Sequence, residues 1–116
     1  MQTSPQYATS LPLTVEAFRN RACARPCYDE SYTPPTPDEV KQLRTLLGLS
    51  QRQLARFLGA NYTQDKGSPT VRKWETAIDK ASHRQIGHSA WQMMLVAAGV
   101  ITPTDIIMML DNCKHS

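Results

Sequence analysis

The sequence predicts an all-α protein, with five helices around one core and a short N-terminal extension ahead of them. Three observations predict it. Apolar residues recur at three- and four-residue spacing in five segments between residues 37 and 110. Each segment is bracketed by residues that start or stop helices. No segment sustains the apolar–polar alternation of a half-buried strand.

In chain order, Thr14 is placed to cap a short helix within residues 14–23, with Val15 and Phe18 on one side. Pro26, Pro34, Pro35 and Pro37 then exclude a helix interior and read as an extended connector. A boundary falls there. It divides an N-terminal arm, residues 1–36, from a central unit, residues 37–99, and a C-terminal helix within residues 100–116.

The central unit opens with a strong start signal. Thr36 caps, Pro37 suits the first helical position, and Glu39 stands where a capping box needs it. Val40, Leu43 and Leu47 share a face, and Gly48 stops the helix. Ser50 caps a second helix with Leu54, Ala55 and Leu58 inward, ended by Gly59. Residues 60–68 form a polar loop. Pro69 starts a third helix reaching about Thr76, with Val71 and Trp74 inward. Ser89 is expected to cap a fourth, carrying Trp91, Met94, Leu95 and Ala98 and closed by Gly99. Thr102 and Pro103 start a fifth, reaching about Leu110.

A chain of 116 residues with 41% hydrophobic content suits one compact domain. It has no apolar run long enough to cross a bilayer. Residues 1–13 lack the basic start and apolar stretch of a signal peptide, so a cytoplasmic location is expected. Cys23, Cys27 and Cys113 read as free thiols, and neither they nor the histidines show metal-ligand spacing. The net charge is +3, and residues 38–80 hold the whole surplus, eight basic against five acidic residues. A local basic bias is what a phosphate-facing surface requires, though a solvated helix face looks the same.

The informative strings are Leu49-Ser-Gln-Arg-Gln-Leu-Ala-Arg-Phe-Leu-Gly59 and Ser68-Pro-Thr-Val-Arg-Lys-Trp-Glu75. Two short helices that cross tightly need a small residue at the crossing, and Ala55 supplies it. Leu54, Leu58, Val71 and Trp74 supply the shared core. Thr70, Arg72, Lys73 and Thr76 are then left to face outward. An α-helix fits the major groove of B-DNA, where polar side chains reach base edges.

These strings resemble the helix-turn-helix of the Cro/phage-repressor family, often called XRE-like, across residues 37–98. The resemblance implies a lambda-repressor-like DNA-binding domain. It implies that Gln51 grips the DNA backbone and that Ser68, Pro69, Arg72 and Lys73 face bases or nearby phosphates. Arg72 is the leading base reader, since arginine donates two bonds to one guanine. Arg52 and Lys66 complete the DNA-facing set with Thr70 and Thr76, or Arg52, like Lys41 and Arg56, is merely a solvated side chain. Arg44 and Glu75 match an ion pair between the first and third helices, with a structural role. One departure stands out: about six extra residues lie between Gly59 and the third helix. Asn61, Tyr62, Gln64 and Lys66 are there to add DNA contacts, or the insertion is neutral.

The implied function is sequence-specific binding of double-stranded DNA by a transcriptional repressor, as a homodimer on a palindromic operator. Ile106, Ile107, Met109 and Leu110 are the candidate dimer contact, or pack on their own domain. An antitoxin whose N-terminal extension embraces a toxin partner is the alternative, and a protein-interaction module that has lost DNA is another. Trp91, Met93 and Met94 read as core. Asp38 and Glu39 read as helix-start charges, not a catalytic dyad. No enzymatic constellation, cofactor or metal site is expected.

Overall fold

The computed structural model describes residues 12–25, 30–63 and 67–114, with residues 109–114 described by backbone alone. Among them the architecture is all-α. It comprises α1 (Val15–Arg19), a 3-10 turn (Ala22–Ala24), α2 (Pro37–Leu46), α3 (Gln51–Leu58), α4 (Pro69–Trp74), α5 (His88–Ala98) and α6 (Pro103–Lys114). The only strand-like pairing among the described residues is an isolated antiparallel bridge between Thr63 and Gly67.

Local chemistry accounts for most of the boundaries. Thr36 Oγ1 accepts from Glu39 N at 3.1 Å while Glu39 Oε1 accepts from Thr36 N at 2.8 Å, so two orphan amides at the start of α2 are satisfied together. Ser50 and Gln53 reciprocate in the same way at α3. Thr102 and Asp105 do so at α6. Gly59 ends α3 at φ 77°, a left-handed conformation that costs glycine nothing.

Several elements differ from the sequence reading. The N-terminal helix stops at Arg19 and gives way to the 3-10 turn, instead of running on towards Cys23. Helix α5 begins at His88, before Ser89; Gly87 occupies the cap position, and no side chain caps it. Ser89 is therefore inside the helix and is not its cap. Helix α6 continues past Leu110 to Lys114, because no glycine or proline interrupts it.

Phe18, Leu43, Leu54, Val71, Trp91 and Met94 are all fully buried in one core, in which α2 packs on α5 and α3 on α4. Each such large side chain contributes about 1.5–3 kcal/mol. The N-terminal arm belongs to this core. Phe18 stacks at a tilt against Trp91 with centroids 6.3 Å apart, and Trp91 Nε1 donates to the Cys23 carbonyl at 2.7 Å. Arg19 Nη2 donates to Gly99 O at 2.8 Å, and Arg21 pairs with Glu39 at 2.7 Å. The proline-rich connector thus marks a break in helix, not in packing. Among the described residues no helix is long and apolar enough to cross a membrane.

Candidate nucleic-acid interface

The face of interest is built by α3 and α4. Leu54, Ala55 and Val71 are completely buried between them. Leu58 and Trp74 are partly buried and pack on the same cluster. With Val71 inward, the helical period turns Arg72 and Lys73 outward, and both are exposed, as is Pro69. Thr70 and Thr76 are half-buried. Helix α4 ends at Trp74, short of the expected Thr76, and Thr76 Oγ1 donates back to Arg72 O at 2.7 Å, which spends its only hydroxyl proton on the last turn of α4.

Ser68 departs from the role the resemblance implied. It is fully buried, not presented to a ligand. Its Oγ accepts from Val71 N at 3.1 Å and donates to Asn61 O at 2.6 Å. It caps α4 and ties that cap to the inserted loop. The serine–proline pair at the start of a helix carries this signal by itself, since serine is a preferred cap and proline a preferred first residue. In the loop, Thr63 N donates to Gly67 O at 2.7 Å and Gly67 N to Thr63 O at 3.2 Å. The two described ends of the insertion, Thr63 and Gly67, are therefore bridged to each other beside the α4 cap. Asn61 and Tyr62 are exposed. Gln64 and Lys66 lie outside the described residues.

Behind the face, Glu75 joins three helices' worth of chain. Arg44 Nε donates to Glu75 Oε2 at 2.6 Å and Arg44 Nη2 to Glu75 Oε1 at 3.0 Å. Arg44 Nη1 reaches Leu49 O at 2.9 Å. The side chains are only 14% and 5% exposed. Gln51, the first residue of α3, adds a third bond, from Nε2 to Glu75 Oε1 at 3.0 Å. Sequence reasoning paired Arg44 with Glu75 but did not connect Gln51 to them.

Burial sorts the charges. Glu39 and Glu75 turn inward onto arginines, whereas Lys41, Arg52, Arg56, Arg72, Lys73 and Lys80 are exposed beside only Asp38 and Asp79 among the described acids of this segment. Each inward glutamate takes one arginine with it, so the pairing leaves the positive surplus on the outside. Burial pushes the Cys23 thiol up to about 12, with the Glu39 charge adding to it, which marks a structural and unreactive group. Cys27 lies outside the described residues, as does the Cys113 side chain. Among the described residues no cluster of His, Cys, Asp and Glu is arranged to hold a metal ion.

On α6, Ile107 and Met108 are each 60% exposed. Ile106 is half-buried and lines a shallow apolar cleft with Phe57, Met93, Val96 and Ala97. The side chains of Met109 and Leu110 lie outside the description.

These features define an all-helical protein that seats a short helix on its core through Val71 and turns that helix's basic side chains outward. Over 78 aligned residues the chain is 33% identical to the transcriptional repressor protein KorC of Escherichia coli, covering 67% of this chain and 80% of the repressor. No family model and no solved structure matches the chain. On that identity and coverage, the chain belongs to the family of the transcriptional repressor KorC.

Proposed function

We propose that the protein is a transcriptional repressor that binds double-stranded DNA sequence-specifically, through a helix-turn-helix of the Cro/phage-repressor type. In this reading α2 to α6 form a lambda-repressor-like domain and α4 lies in the major groove. Arg72 reads a base, while Lys73, Arg52 and Lys66 meet phosphates or neighbouring edges, and Pro69 and Thr70 approach the backbone. Gln51 grips a phosphate from the start of α3, where the helix dipole favours an anion. One observation carries the reading: Arg72 and Lys73 are exposed on a helix whose Val71 is fully buried, in a chain akin to a repressor.

One such helix reads too few bases for operator affinity, so two copies act together on a palindromic site. Ile106, Ile107, Met109 and Leu110 of α6 supply the contact between copies. The exposure of Ile107 supports this. A toxin-embracing extension is disfavoured by Phe18 and Cys23, which are spent on the protein's own core.

The test is selection from random duplexes, followed by titration over a range of salt. A symmetric site with a steep salt dependence is the expected outcome. Binding that ignores both sequence and salt would sink the reading.

A further inference from the structure

We propose that Glu75 is a positioning residue for DNA binding: its carboxylate fixes the Gln51 side-chain amide in the orientation that contacts a phosphate. This rests on the DNA-binding reading above and deepens it.

The argument begins with what an amide next to a carboxylate must do. A glutamine presents an acceptor edge and a donor edge. Glu75 Oε1 stands 3.0 Å from Gln51 Nε2, and an ionised carboxylate can only accept. The flipped amide would set oxygen against oxygen, so the nitrogen must face Glu75. One Nε2 proton is spent there. The second points away, at the first residue of α3, where the positive end of an eight-residue helix lies. Arg44 makes this tolerable beside DNA. It donates to both Glu75 oxygens, so the carboxylate that steers Gln51 presents little net charge to a phosphate. The amide is thus held in the DNA-binding orientation before DNA arrives, and the ordering cost falls on folding, not on binding.

A merely structural ion pair would stabilise the fold without regard to Gln51, and a coupling measurement separates the two roles. Affinity for random-sequence duplex is measured for wild type, Gln51→Ala, Arg44→Met/Glu75→Leu, and the triple variant, each first checked for a cooperative melt. The apolar swap is chosen because well-packed apolar residues often replace a buried pair without loss of fold. In the wild-type background Gln51→Ala lowers affinity about tenfold, the loss of one hydrogen bond to a charged group. In the swapped background it changes affinity less than about twofold, because an unanchored amide contributes little. An equal loss in both backgrounds overturns the proposal and leaves the DNA-binding reading standing. Absence of salt-dependent binding by the wild type overturns both. If the swapped protein does not fold, side-chain amide relaxation on the unaltered protein decides. A Gln51 amide as ordered as the backbone supports positioning, and a freely mobile one refutes it.

Discussion

Arg44→Ala is the most informative single perturbation of this fold. Truncation removes the guanidinium and leaves Glu75, with a side chain 5% exposed, holding its charge against Gln51 alone. It also strips the Leu49 carbonyl of its donor. Breaking a buried pair from one side costs about 3–5 kcal/mol. Arg44 is itself 14% exposed, so water can enter where it stood, and the lower end, about 3–4 kcal/mol, is the expected loss. A protein of this length has roughly 6–17 kcal/mol in total. The variant should therefore fold but melt roughly 10–20 °C lower. Thermal and denaturant unfolding followed by helical circular dichroism measure this. Operator preference, determined well below the melting point, should not change, because Arg44 reaches no base. A variant that melts with the wild type would refute the buried-network argument. A variant that chose a different operator would refute the assignment of Arg44 to the scaffold.

Four further outcomes are expected. Arg72→Ala should weaken operator binding by about 1–3 kcal/mol and relax preference at one base position; an equal loss on random duplex would reassign it to a phosphate. Ser68→Ala should cost about 1–3 kcal/mol of stability in urea titration, since it uncaps α4 and releases the Asn61 carbonyl; an unchanged midpoint would remove the link between loop and helix. The Cys23 thiol is held neutral in the fold, its value raised from 9.0 to about 12, so its contribution is complete below pH 9 and is lost as pH rises towards the folded value. Wild type should accordingly lose stability more steeply than Cys23→Ala between those limits, by up to about 1.4 kcal/mol per pH unit, and parallel pH profiles would show the thiol to be solvated. Ile107→Glu should shift sedimentation from dimer to monomer with the melt preserved; a monomeric wild type would place the α6 contact in doubt.

The net charge of +3 is modest, and ion pairing decides where it lies. The two buried glutamates take Arg21 and Arg44 with them, one tethering the N-terminal arm to α2 and the other tying α2 to the end of α4. What remains outside is a basic surface over a neutralised interior. Steering of a polyanion depends on that outer layer, since buried pairs cancel at a distance.

Interactions within a few residues of one another were readable in the amino-acid order. Thr36 with Glu39, Ser50 before α3, Pro69 opening α4, and Gly59 and Gly99 closing helices all act over three or four positions. Their geometry follows from composition and spacing alone. The inward set Leu54, Ala55 and Val71 was equally legible, because the helical period places those residues on one side whatever lies opposite. Folding in space decided the rest. That Phe18 joins Trp91, and that Cys23 does so across 68 positions, cannot be inferred from a proline-rich connector, which ends a helix but says nothing about where the chain returns. The burial of Ser68 depends on the Asn61 carbonyl arriving from the segment after α3, and the third bond to Glu75 depends on how α3 crosses α4. Hydrogen bonds between distant segments form only where packing has already brought the groups within about 3 Å, and packing is a property of all the helices at once.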